Sequence, residues 1–272
     1  MFPESLRPYQ QIIESTAIPA VLLSLKKEKT ALHKSKIGGE PYFPRDYPVD
    51  YFYVPYPNTV NYTPWPKHPE TGKELMLLLQ INFEEMPPLP SFPDKGILQL
   101  FVEDKNWYKL DEQLQVIYHP KVIREPGFLF PDFNNPMDAY RVQEHSLSFQ
   151  MEMEYMTADD FRFNRLLPEI AGPGANDLWG DYMSITNWRH PRELRIAEGY
   201  GRNKIGGYHY SQNCQDPRAS LPEWEDSLLL VQFQADDERL IWGDGGSAQF
   251  FIKRKDLEDL NFQDLLFHWD ST

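Results

Sequence analysis

Apolar runs punctuated by glutamine recur along this chain with the same polar positions. Leu77-Leu78-Leu79-Gln80-Ile81-Asn82 and Leu229-Leu230-Val231-Gln232-Phe233-Gln234 match position for position in residue type. Gly96-Ile97-Leu98-Gln99-Leu100-Phe101-Val102 is likewise answered by Gly246-Ser247-Ala248-Gln249-Phe250-Phe251-Ile252. Short continuous apolar runs of this kind read as buried strands. Each set is preceded by a shared phrase, Ser35-Lys36-Ile37-Gly38-Gly39 and Asn203-Lys204-Ile205-Gly206-Gly207. Three anchors in the same order predict an internal duplication, and the 168 residues from Lys36 to Lys204 are too many for a solenoid repeat. From Gly39 to Gln80 is 41 positions and from Gly207 to Gln232 is 25, so the first copy carries 16 extra residues, placed around Asp50 to Pro69.

Other stretches complete the expected fold. Ala20 to Leu25 is a first buried strand, and Leu114 to Ile123 and Ser146 to Tyr155 alternate, the latter aiming Leu147, Phe149, Met151, Met153 and Tyr155 at one buried face. An amphipathic helix is expected over Glu4 to Thr16, stopped by Pro19, and a second from Thr157 as N-cap through Phe161, closed by Ala171-Gly172-Pro173-Gly174. A C-terminal helical segment is expected over Lys255 to Trp269. Asp244-Gly245 between apolar runs is a hairpin signal, and Gly38, Gly39, Gly206, Gly207, Gly245 and Gly246 are assigned to turns. The fold class is therefore mainly β (β-rich α+β): two related antiparallel β units with peripheral helices at the N-terminus, middle and C-terminus. They form one domain over 1–272, with halves at about 17–140 and 141–272.

Charge narrows the choice of partners. Twenty-seven basic against 41 acidic side chains give −14, which repels phosphate backbones and anionic lipid and favours a basic protein partner over nucleic acid or membrane. The single Cys214 excludes an internal disulfide and a Cys-rich zinc site. The start of the chain, with no basic lead into an apolar stretch, points to the cytoplasm. Tyr51-Phe52-Tyr53-Val54-Pro55-Tyr56-Pro57, with Tyr62 and Trp65, is an aromatic and proline-rich loop, either packed on its own core or offering a contact platform.

Catalytic motifs are incomplete. Gly201 to Gly207 has the glycine spacing of a phosphate loop but puts Gly207 where the lysine belongs, and neither Gly-x-Ser-x-Gly nor His-Glu-x-x-His occurs. The seven histidines show no pair at ligand spacing, so neither cofactor nor metal is expected. His209, Asp216, Arg218, Trp242 and Asp244 are the candidate binding residues, all in the second copy. A converging Asp and His could do acid/base work, whereas Asp216, Arg218 and Asp244 are also explained as turn and ion-pair residues. The leading expectation is a protein-binding or chaperone-like interaction protein, and the alternative is a hydrolase or small-ligand enzyme acting in the second copy.

Ser35 to Pro44, Gln215-Asp216-Pro217-Arg218, Trp242-Gly243-Asp244-Gly245-Gly246 and Phe267-His268-Trp269-Asp270 together resemble the YwqG-like family, bacterial domains with no agreed biochemical function. The resemblance runs from about Pro19 to Trp269 and implies a mostly β fold with a few helices. It departs at His209, where the family continues its second glycine turn with proline, as this chain does at Pro41. The Gly-Gly-x-Pro and Leu-Leu-x-Gln signatures also resemble the programmed-cell-death-2 family. That resemblance implies protein binding, since its members look like chaperones of a basic ribosomal protein.

Overall fold

Ten strands carry the architecture: β1 (Ile18–Lys27), β2 (Lys36–Ile37), β3 (Met76–Asn82), β4 (Ile97–Val102), β5 (Gln115–His119), β6 (His145–Glu154), β7 (Lys204–Gly206), β8 (Ser227–Gln234), β9 (Ser247–Lys253) and β10 (Leu265–Asp270). The structure, a computed structural model, describes residues 2–45, 66–68, 70–72, 74–103, 114–130, 142–172, 176–186, 203–211, 216–234 and 246–270. The aromatic loop at Tyr51 to Trp65, Cys214, and Trp242 to Gly245 of the expected hairpin lie outside the described residues.

The chain forms two compact units. One comprises Met1–Ser24, Gln150–Arg254 and Leu265–Thr272, the other Leu25–Phe149 and Lys255–Asp264. In the first unit the strand neighbours run β10-β9-β8-β7-β1-β6, and in the second β1-β6-β2-β3-β4-β5. β1 and β6 each pass through both. The protein is mainly β, as its runs predict, because β3, β4 and most of β8 and β9 are buried along their length and a strand covered on both sides has no need of polar alternation.

The units repeat one register. In the second unit Lys36 pairs with Gln80 and Gln80 with Gln99; in the first Lys204 pairs with Gln232 and Gln232 with Gln249. A bulge interrupts the ladder at Leu77/Leu79 and again at Leu229/Val231. The glutamines are polar for a reason that also repeats. Gln80 Oε1 accepts from Tyr42 N and Gln232 Oε1 from Tyr210 N, both at 2.8 Å, while Gln99 Nε2 and Gln249 Nε2 donate to the carbonyls of Tyr42 and Tyr210 at 2.9 and 2.8 Å. A buried loop backbone must find partners, and these amides supply them. The glycine pairs hold matching left-handed backbone, with φ +62° and +73° at Gly38 and Gly39 and +68° and +72° at Gly206 and Gly207. Gly246 is buried at the start of β9.

The helices depart from expectation in three places. At the N-terminus a 3₁₀ turn at Glu4–Tyr9 runs into α1 (Gln10–Ser15), burying Leu6 and Ile13 but leaving Ile12 exposed, and Pro19 lies inside β1 instead of ending the helix. Thr157 does not cap a helix, because its hydroxyl donates to the carbonyl of His209; the helical turns come later as α2 (Phe163–Leu166), α3 (Pro168–Ala171) and α4 (Asn176–Ile185). They pack Phe163, Leu167, Ile170 and Tyr182 with Leu6, Ile13, Met156 and Tyr208. The C-terminal segment is helical only at α5 (Arg254–Glu258), after which β10 zips onto β9 from Leu265↔Ile252 to Asp270↔Ser247. Strand pairing of six residues outweighs the helical spacing of the leucines. β6 is a strand, yet Met151 and Met153 are exposed, so its apolar alternation does not mark a continuously buried face. Among the described residues no helix is long and apolar enough to cross a membrane.

Candidate functional site

The first unit buries a chain of paired charges. The turn after β6 presents Asp160-Phe161-Arg162, and the turn after β7 leads to Asp216-Pro217-Arg218. In each, the carboxylate holds the guanidinium two residues on by two bonds: Asp160 takes Arg162 Nε and Nη2 at 2.7 Å each, and Asp216 takes Arg218 Nε at 2.9 Å and Nη2 at 2.7 Å. The proline at 217 and the Asp216 oxygen accepting from Arg218 N start a 3₁₀ turn that fixes this spacing locally. The two forks meet, with Arg218 Nη2 3.5 Å from Asp160 Oδ2. Phe161 lies against both guanidinium groups, whose Cζ atoms stand 5.3 Å (Arg162) and 5.2 Å (Arg218) from its centroid, and Arg218 also covers Phe251 at 4.6 Å.

His209 enters this cluster from the glycine turn. Its ring is fully buried, 3.5 Å from Asp216 Oδ2 through Nδ1 and edge-on to Phe251 at 5.9 Å. Burial pushes the imidazole down to about 4, with Asp216 pulling the other way, so the ring is neutral at pH 7. Burial would raise the Asp216 carboxyl, but the Arg218 hydrogen bonds and the His209 and Arg218 charges outweigh it and hold the group below its ordinary value. The Arg162 guanidinium is held above its usual value by its bonds to Asp160, and burial pushes the Tyr208 hydroxyl, which donates to the carbonyl of Thr16, up to about 12.

The structure thus brings together three of the five candidate residues, His209, Asp216 and Arg218. Trp242 and Asp244 lie outside the described residues. Asp160, Phe161 and Arg162 are additions to the site. The repeated Asp-x-Arg, 56 positions apart, is the sequence signal that could have found them. Chemically the arrangement favours holding over turnover. A general base needs a lone pair facing substrate, whereas Asp216 spends its two oxygens on Arg218 and on the N–H of Phe161, and His209 exposes no surface. Among the described residues no group of three or more His, Cys, Asp or Glu side chains could hold a metal ion.

A second buried pair stands beside each glycine turn. Lys36 Nζ reaches Glu144 Oε1 at 3.1 Å, and Lys204 Nζ reaches both oxygens of Glu154 at 2.8 and 2.7 Å. Burial holds the Lys36 ammonium below its ordinary value, against the attraction of Glu144. A Cβ on Gly39 would stand 2.6 Å from the Glu144 side chain and one on Gly207 2.3 Å from Glu154 Oε2, so these glycines leave room for the carboxylate that meets the lysine.

Against known families, the model of a domain of unknown function, DUF1963, matches residues 35–271. The chain belongs to the DUF1963 family. The match takes in both glycine turns, both glutamine pairs and the Asp216-Arg218 fork, so a DUF1963 domain spans the two units and is not confined to either. A comparison with curated proteins found no match.

Proposed function

We propose that the protein is a binding or chaperone-like interaction protein for a basic partner, and that its two units arose by duplication of one β unit. The observation that carries the reading is where the cations go. Lys36, Lys204, Arg162 and Arg218 are each consumed by an internal carboxylate, so these pairs cancel and the whole net charge of −14 remains for the rest of the molecule. An acidic exterior steers basic partners and discourages nucleic acid. The resemblance to YwqG-like and programmed-cell-death-2 proteins and a cytoplasmic setting accord with this reading.

The test is calorimetric titration of the full chain with a lysine- and arginine-rich peptide, and with its neutral and acidic counterparts, at low and raised salt. Binding of the basic peptide alone, weakening steeply with salt, is the expected result. No binding at low salt, or equal binding of all three peptides, would overturn it. The second reading, a hydrolase or small-ligand enzyme in the second copy, has the 3.5 Å approach of His209 to Asp216 in its favour. It requires that His209→Ala and Asp216→Asn abolish turnover in a hydrolase screen while the melting temperature holds; loss of both together makes these residues structural.

A further inference from the structure

Five buried side-chain atoms have no hydrogen-bond partner among the described residues: both ring nitrogens of His209, Ser227 Oγ, Gln249 Oε1 and His268 Nε2. All belong to the first unit. Buried polar atoms are paired in the great majority of cases, so five orphans in one unit call for a cause.

They share one sheet face. Gln249 stands opposite His268 across β9 and β10, and Phe251, two residues on, presents to the same side. Leu229 pairs with Phe251, and Ser227, two residues back on β8, keeps that side as well. His209 closes on Phe251 from above, and its neighbour Tyr210 supplies the carbonyl that Gln249 Nε2 reaches.

The second unit shows what a completed version looks like. There His119 Nε2 lies 3.0 Å from Gln99 Oε1. The matching position on β10 is Asp270, which turns instead to Ser211 Oγ and Ser247 Oγ at 2.7 Å and leaves Gln249 Oε1 unanswered.

We propose that this face of the first unit, built by His209, Ser227, Gln249 and His268, binds a small uncharged molecule rich in hydroxyl groups, a polyol or sugar. The orphan atoms select that chemistry. Gln249 Nε2 is already spent on Tyr210 O and Ser247 Oγ, so its oxygen can only accept. A neutral imidazole offers one donor and one acceptor, and a serine hydroxyl offers both. A ligand hydroxyl donates and accepts at once and satisfies each of these groups. A charged ligand finds no counter-charge, because Asp216 and Arg218 neutralise each other beside the face. His268 is the half-buried member and marks the approach; His209 and Gln249 are fully buried behind it. The inference stands apart from the reading of a basic partner.

The full-length protein, ¹⁵N-labelled at histidine, is titrated with glucose and with myo-inositol, and separately with glucuronate as the charged comparison. Assignment uses His209→Asn and His268→Asn. Saturable shifts of the His209 and His268 imidazole signals with a neutral probe and none with glucuronate are expected. Ser227→Ala should weaken that binding about tenfold, the effect of one hydrogen bond, while leaving the melting temperature unchanged, since it removes no bond within the protein. Gln249→Leu should weaken it as much or more; should that variant not fold, Ser227→Ala carries the test alone. No saturable shift with either neutral probe, equal response to glucuronate, or unaltered affinity in Ser227→Ala would each overturn the proposal.

Discussion

In the second unit the ammonium of Lys36 shares one oxygen of Glu144 with the backbone and hydroxyl of Thr30, whereas in the first Lys204 holds Glu154 by both oxygens. The lysines occupy the same position in the repeated register, but the carboxylates do not. Glu144 immediately precedes β6 and Glu154 ends it, so one strand supplies a counter-charge at each end. The pairs teach that the frame and its neutralisation obey different constraints. Glycine turns and glutamine amides must recur in place because they answer the main chain, while a carboxylate needs only to arrive within reach of a buried ammonium.

The largest test of that contrast is to remove each lysine. Lys204→Met should cost about 3–5 kcal/mol, the penalty of leaving a partly buried carboxylate unpaired, and Lys36→Met should cost less, because burial already disfavours its charge and Glu144 keeps Thr30. Urea unfolding at pH 7 measures both. A larger loss for Lys36→Met would mean that the number of bonds at the pair does not set its worth.

Acid should separate the units next. Each unit buries one neutral histidine: His119, pushed down to about 3 by burial, and His209, pushed down to about 4. Unfolded, both titrate near 6.5, so below that pH the unfolded chain takes up protons that the folded one refuses. Stability is full above about pH 6.5 and falls as the pH drops towards 4, by about 3 kcal/mol for His209 and somewhat more for His119. His119→Gln, which keeps a donor for Gln99, should remove most of the second unit's share when urea unfolding is repeated at pH 7, 5.5 and 4.5. An unchanged pH slope would show that the histidines do not govern acid lability.

The glycine turns give the smallest effects and the finest ranking. A left-handed alanine costs about 1–2 kcal/mol before any clash. Gly38→Ala adds a contact of 2.2 Å with the carbonyl oxygen of Val142, which is backbone and cannot yield; Gly207→Ala meets Ala20 Cβ at 2.6 Å besides Glu154, and Gly39→Ala meets only a flexible glutamate side chain. Thermal melts should rank the losses Gly38, Gly207, Gly39. Stability unaltered in all three would remove the structural reason for the repeated phrase.

Much of this frame was legible in the sequence because its residues act locally or in fixed register. Glycine at 38, 39, 206 and 207 declares positive φ, and a glutamine inside an apolar run declares a buried amide with a partner. The C-terminal strand was not legible as a strand. Leu265, Leu266 and Phe267 lie among acids at helical spacing, and what makes them a strand is the edge of β9, about fifteen residues back in the chain. At the site, His209, Asp216 and Arg218 could be singled out, but the meeting of two Asp-x-Arg forks could not, because it depends on a contact between residues 58 positions apart. β6 misled for the same kind of reason: alternation declares two faces, and it does not declare that anything will cover Met153.

Neither compact unit is a continuous stretch of chain, and that bears on the order in which the protein is made. The second unit is not complete when residue 149 has been synthesised, because Lys255–Asp264 belongs to it and Phe262 packs on Tyr118 with ring centroids 5.1 Å apart. The first opens with Met1–Ser24 and waits for β10. On the ribosome the two halves therefore cannot finish one after the other. Both are completed within the last few dozen residues, and until then the early strands are hydrophobic, unpaired and dependent on whatever shields nascent chains.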